Sequence, residues 1–406
     1  MRRLSAIIAA HFAENMALCG EYGLQSPQNM RRFTYIHEHP AWADFRWDDA
    51  AVSLALSKVR HKQGWLLGRM AGLSFDLRDE ACLSNLTFDV VNSSAIEGEH
   101  LDPQAVRSSI ARRLGLNVAG LQPSSRDVDA VVEMMLDATQ RFKEPLTAER
   151  LFGWHSALFP TGRSGIYRIT VGAWRTGASG PMQVVSGPMG METVHFEAPD
   201  ASRLPAEMES FFHWFESPSR IDPVVRAAIS HLWFVTIHPF EDGNGRIARA
   251  ITDMVLARAD ASRQRFYSMS SEIERQKKQY YLELESQQKG TSDITPWLFW
   301  FLDCLERAID TAASSLTGVL RKAQLWERVN HKPVNDRQRT IINLMLGDFK
   351  GYLNTSKYGK LAKCSSDTAL RDIQELLARG ILIQNPGKGR STSYRLNDPE
   401  QIPLPA

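Results

Sequence analysis

Cysteine is scarce: four residues in 406, Cys19, Cys82, Cys304 and Cys364, with no CxxC pair and no histidine cluster at metal-ligand spacing. That scatter argues against a disulfide framework or a zinc knot. Long apolar runs are missing too, since none reaches the roughly 18 to 20 residues of a membrane span. The start, Arg2-Arg3 followed by Leu4 to Ala10, has a faint signal-peptide character, but His11, Glu14 and Asn15 interrupt it. A cytoplasmic protein without membrane contact is expected. Neither charge sign dominates, with Lys+Arg 48 against Asp+Glu 46, so no global field draws the chain to nucleic acid. Internal repeats and low-complexity tracts are absent. What remains is a globular composition, 43% hydrophobic and 23% charged, in a chain long enough for two or three domains.

Residues 1–29 fit poorly with the rest of the chain. Met30-Arg31-Arg32-Phe33 looks like a second start ahead of Trp42 and Trp47, so 1–29 is expected to be a loosely attached extension arising from an upstream start codon. Helical spacing then predicts helices over 48–73, 78–91, 102–114 and 124–142, with a polar run from Asn92 to Glu99 after the second. Between Gly165 and Phe196 the pattern changes to short β-prone runs, Ile169-Thr170-Val171, Gln183-Val184-Val185 and Thr193 to Phe196, which predict a hairpin or flap. Helices resume over 204–215, from Asp222-Pro223 through Val235, and on to about Val329. After His331-Lys332-Pro333, three short helices and two β-prone runs around Pro386 to Arg390 predict a winged helix over 336–397.

The run His238-Pro239-Phe240-Glu241-Asp242-Gly243-Asn244-Gly245-Arg246-Ile247-Ala248-Arg249 separates two apolar helical segments. Gly243 and Gly245 let backbone approach an anion closely. Amides opening the next helix point at phosphate, aided by the helix dipole. Arg246 and Arg249, three apart, project from one side of that helix. Asp242 is placed to hold Mg²⁺ beside a nucleotide, and His238 is suited to take a proton near neutral pH.

This run resembles the Fic family motif HPFx(D/E)GNGRxxR at every position. The resemblance implies a mostly α fold: an N-terminal helical domain (30–115) bearing an inhibitory helix, a Fic catalytic core (116–330) with a short β-hairpin flap, and the winged helix. It implies transfer of AMP from ATP to a Tyr, Ser or Thr hydroxyl of a protein, the chain itself included. His238 would be the base and Asp242 the Mg²⁺ ligand. Asn244 and the Gly243 and Gly245 amides would hold the α-phosphate, Arg246 and Arg249 would grip the β- and γ-phosphates, and Phe240 would anchor the loop. Ser93-Ser94-Ala95-Ile96-Glu97-Gly98 resembles the family's inhibitory (S/T)xxxE(G/N), which implies that Glu97 pairs with Arg249 as a brake. In some relatives the same Glu acts on water to remove AMP.

Gly165-Ile166-Tyr167-Arg168 resembles the family's GxYR stretch, and Val194, His195 and Phe196 are the expected target-binding edge of the flap. Arg275 with Tyr280 and Tyr281 resembles the region closing over adenine, and Tyr281 is the base-side candidate. Family habit adds a homodimer. Arg371, Arg379, Lys388 and Arg390 in the expected winged helix are placed to meet DNA phosphate. An ATP-sensing, DNA-binding transcriptional regulator is therefore the alternative reading, against which His238 favours an enzyme.

Overall fold

The computed structural model describes residues 33–40, 42–116, 121–187, 191, 193–330, 333–346, 349, 351–386 and 392–397. The expected extension 1–29 and the wing residues Lys388 and Arg390 lie outside these. Helix α1 (Asp49–Ala71) begins where the Asp48 carboxylate accepts the Ala51 N–H at 3.0 Å, satisfying a backbone donor that a first turn leaves unpaired. Helix α2 (Phe75–Ile96) outruns the predicted 78–91. Its polar end is helical because Asn92 and Ser93 find partners in the protein, the Ser93 hydroxyl accepting from Arg249 Nε at 2.9 Å. Ser93 and Ser94 are fully buried, and the Asn92 amide donates to Ser271 Oγ and to the Phe88 carbonyl. Glu97 caps the helix and Gly98 turns the chain at φ 83°.

Helix α3 (Pro103–Leu114) runs from the Asp102 cap to Gly115, and α4 (Arg126–Gln140) starts on the Ser125 hydroxyl. Helix α5 (Ala148–Leu158), capped by Thr147, was not expected from sequence. Two antiparallel hairpins come next: β1 (Arg163–Ser164) with β2 (Tyr167–Arg168), and β3 (Gln183–Ser186) with β4 (Thr193–Glu197), the second bulged between Val184 and Val185. Ile169-Thr170-Val171 is not a strand. Thr170 instead gives its N–H and hydroxyl to the two Glu241 carboxylate oxygens at 3.0 Å each, so its hydrogen bonds go to the motif loop rather than to a ladder.

Helix α6 (Leu204–Glu216) precedes α7 (Pro223–Ile237) and α8 (Asn244–Asp260), which pack together and are buried on nearly every side. Then come α9 (Met269–Arg275), α10 (Lys277–Gln288) and the long α11 (Thr295–Asn330). One apolar cluster extends from Val52 to Ala313, so the expected division at 115/116 runs through continuous packing. Polar groups reinforce it. Arg265, fully buried, pairs with Asp253 at 2.9 Å and Asp260 at 2.8 Å, while Gln63 of α1 reaches Asp260 and Tyr267. No helix among the described residues is long and apolar enough to cross a membrane.

A second cluster, Leu325 to Tyr394, joins the end of α11 to α12 (Asp336–Leu346), α13 (Thr355–Leu361), α14 (Ser366–Ala378) and the hairpin of β5 (Leu382–Gln384) and β6 (Tyr394–Leu396). Asp372 is its polar hub, accepting from Arg337, Asn335 and the Tyr358 hydroxyl. Arg379, expected to meet DNA, instead donates to the Val329 carbonyl at 3.0 Å and ties α14 to α11. Arg371 is exposed.

Candidate active site at the loop between α7 and α8

Helix α7 ends at His238, whose backbone lies in the left-handed region at φ 52° and ψ 58°. Holding a non-glycine residue there costs roughly 1–3 kcal/mol, and the conformation persists only where its surroundings dictate it. The half-buried imidazole donates from Nδ1 to the Val235 carbonyl at 3.2 Å, which leaves Nε2 as the basic nitrogen, facing a cavity of about 640 Å³. Burial lowers its pKa to about 4 against the opposing Val235 bond, and the Arg175 charge adds to the lowering.

Beyond His238 the loop is braced from within. Phe240 is fully buried and stacks on His155 with ring centroids 4.2 Å apart, so it anchors the loop as expected. The Asn244 side chain accepts the Phe240 N–H at 3.0 Å and donates to the Phe240 carbonyl at 2.8 Å. Asn244 therefore fixes the bend through these two bonds. Gly243, at φ 82°, is the cap of α8, and a Cβ there would lie 2.9 Å from the Phe159 ring. Asp242 accepts the Gly243 N–H on one oxygen and the Ser164 hydroxyl on the other, while its carbonyl accepts from His155 Nε2 at 3.2 Å.

The two arginines meet carboxylates. Glu97 Oε1 accepts from Arg249 Nη2 at 2.7 Å, and the Ser93 hydroxyl and carbonyl take two further Arg249 donors. A Cβ on Gly245 would lie 2.2 Å from Glu97 Oε1, so the carboxylate rests directly on the glycine backbone at the start of α8. Arg249 Nη1 is buried with no hydrogen-bond partner among the described residues, and so is Arg246 Nε. Arg246 donates from Nη1 to Glu99 Oε2 at 2.7 Å and lies over the Phe159 ring. Behind them the Tyr280 hydroxyl meets His231 Nε2 at 2.8 Å, and His231 Nδ1 donates to Thr252 at 2.8 Å. Burial, with the Arg249 charge, holds His231 down at about 3, so it stays neutral.

Tyr281 lines the cavity, and its hydroxyl donates to the Ile96 carbonyl at 3.4 Å. Burial, then the Glu97 charge, pushes its phenol up to about 12. Arg275 does not reach this cavity. It pairs with Glu272 and lines a different recess. Of the expected flap edge, Val194 is exposed, whereas Phe196 is buried edge-on against Tyr35 and His37. Strict alternation would put Val194 and Phe196 on one face, but the register shift, with Val184 opposite Phe196 and Val185 opposite Val194, leaves His195 as an extra residue between them and breaks it. His195 bridges Ser186 at 2.6 Å and Glu285 of α10 at 2.8 Å. Arg175, His155, Ser164 and Glu99 were not expected at the site. Only Glu99, two residues past Glu97, carried a usable positional cue.

Residues 145–256 match the family model described as Fic/DOC family, and residues 35–116 match one described as a domain of unknown function, DUF4172. The chain carries a Fic/DOC domain. Over 114 residues it is 35% identical to "Protein adenylyltransferase Fic" of Drosophila mojavensis, covering 28% of this chain and 21% of that protein. The protein of the same name from Nematostella vectensis is 35% identical over 121 residues, 29% of this chain and 26% of the relative. This chain thus spans well under two thirds of the curated relatives it matches. A Fic family protein of Desulfovibrio desulfuricans aligns structurally over 86% of this chain and 97% of its own, at 22% identity and TM-score 0.46. A Fic domain-containing signaling protein of Bacteroides thetaiotaomicron covers 63% of this chain and 95% of its own, at 21% identity and TM-score 0.47.

Proposed function

We propose that this chain is a protein adenylyltransferase that moves AMP from ATP to a Tyr, Ser or Thr hydroxyl of a protein, itself included, and that Glu97 restrains it. The observation that carries the reading is the seat at the start of α8. A carboxylate rests on Gly245 while, among the described residues, buried guanidinium donors of Arg249 and Arg246 stand unpartnered beside it. A buried, unsatisfied cationic donor is costly unless an anion completes it. Glycine backbone, helix N-terminus and two arginines suit a polyphosphate, and Glu97 fills part of that seat.

His238 Nε2 takes the proton of the incoming hydroxyl, whose oxygen attacks the α-phosphorus. The bond from that phosphorus to the bridging oxygen of the β-phosphate breaks, and pyrophosphate leaves. Positioned charge does most of this work. Among the described residues no group of three His, Cys, Asp or Glu forms a protein cage for a metal. A magnesium ion arriving with the nucleotide needs only one or two carboxylates, and Asp242 is the carboxylate that fits. Bound there, it would neutralise phosphate charge. Tyr281 lines the side where the base would lie, and Val194 is the exposed residue of the flap. The cluster around Asp372 we read as the winged helix.

The reading is tested by incubating the chain with ATP labelled at the α- or the γ-phosphate. Protein-bound label should come from the α-position, rise in Glu97→Gly and vanish in Glu97→Gly/His238→Ala. Label retained from the γ-position would make the reaction phosphoryl transfer and overturn the proposal.

A further inference from the structure

Arg175 sits at the C-terminal end of α7, outside the HPFx(D/E)GNGRxxR motif and outside the hairpins. It is 5% exposed, and the hydrogen bonds of its side chain among the described residues go to backbone carbonyls. Its backbone N–H donates to the Pro239 carbonyl at 2.9 Å, its Nε to the His238 carbonyl at 2.8 Å, and its Nη2 to the Pro199 carbonyl at 2.5 Å. A longer contact from Nη2 reaches the Ile237 carbonyl at 3.4 Å.

Three consecutive carbonyls, Ile237, His238 and Pro239, therefore converge on one residue. Ile237 ends α7 and His238 caps it, so their carbonyls lie where a helix leaves acceptors without partners and favours a cation; Pro239 follows just beyond. Their direction sets the backbone angles of His238, which are left-handed and need an outside constraint to persist. Pro199, the fourth acceptor, lies two residues after β4. The guanidinium fork thus joins the end of the flap to the residue carrying the imidazole.

We infer that Arg175 is a positioning residue for His238. It holds the peptide units on both sides of His238 so that Nε2 faces the cavity, and it keeps that geometry in step with the base of the flap. A lysine keeps the charge but lacks the planar fork that spans several acceptors. This inference rests on His238 being the base of the proposed transfer.

The test uses the full chain carrying Glu97→Gly, with Arg175→Lys or Arg175→Gln added, and reads kcat and KM for Mg·ATP in self-adenylylation alongside ATP affinity. Arg175→Gln should lower kcat by about 100-fold, as expected for a catalytic group displaced by about 1 Å, and Arg175→Lys should lower it less. ATP affinity and KM should stay within a few-fold, and Arg175→Lys should recover part of the loss seen in Arg175→Gln. Unchanged kcat in Arg175→Gln would overturn the inference. So would loss of ATP affinity together with kcat in both variants, which marks a purely structural role. If the Glu97→Gly parent itself transfers no AMP, the proposed function fails instead, and the two failures remain distinct.

Discussion

Glu97 and Glu99 lie two residues apart and hold different arginines, Arg249 and Arg246. If Glu97 alone restrained the site, its removal would release all of the available activity. The geometry gives Arg246 a restraint of its own. Glu99→Gln added to Glu97→Gly should therefore tighten ATP binding a further few-fold, a modest gain because the Glu99 side chain is 48% exposed and its pairing is screened. Isothermal titration of the single and double variants checks this, and equal affinities would assign Glu99 no part. His238 makes a second expectation at this scale. Burial lowers its pKa to about 4, so the imidazole is already unprotonated near neutrality. Only that form accepts a proton. Transfer by Glu97→Gly should hold level from pH about 8 to 6 and fall as pH drops toward about 4. An acid limb centred near the ordinary 6.5 would contradict the burial seen here.

At the level of elements, the loop between α7 and α8 is a bend closed by its own side chains, and Asn244 contributes two of the closing bonds. Asn244→Ala leaves the Phe240 N–H and carbonyl buried and unpaired, at roughly 1–3 kcal/mol for each unsatisfied group. A lowered melting temperature is expected, and an unchanged one would contradict this bracing role. The loop was legible in sequence because its residues are contiguous, and caps such as Asp48, Asp102 and Asp222 marked helix starts for the same local reason. What escaped was long-range. The polar run from Asn92 to Ile96 reads as a helix end until Arg249, 156 residues from Ser93, supplies partners. Ile169-Thr170-Val171 has strand propensity, but Glu241 takes its bonds, and Arg175 in sequence is one more arginine between glycines. Phe196 and Arg275 were misplaced because strand face and helix facing depend on what packs beneath.

Across the whole molecule, the helices bearing Glu97 and His238 belong to one apolar cluster, so carboxylate and imidazole keep a fixed relation. The buried Arg265 group ties α8 to the segment before α9, and Gln63 brings in α1. Arg265→Met leaves Asp253 and Asp260 buried without their cation and should cost about 3–5 kcal/mol in a urea titration, whereas a loss under about 1 kcal/mol would show the group to be dispensable. The most direct test of the central claim is the intact mass of three chains held with Mg·ATP: the native sequence, Glu97→Gly, and Glu97→Gly/His238→Ala. Glu97→Gly should gain one or more adenylyl groups well before the native chain does, and the double variant should gain none. A folded, ATP-binding Glu97→Gly chain with no added mass, or equal gains with and without His238, would contradict it.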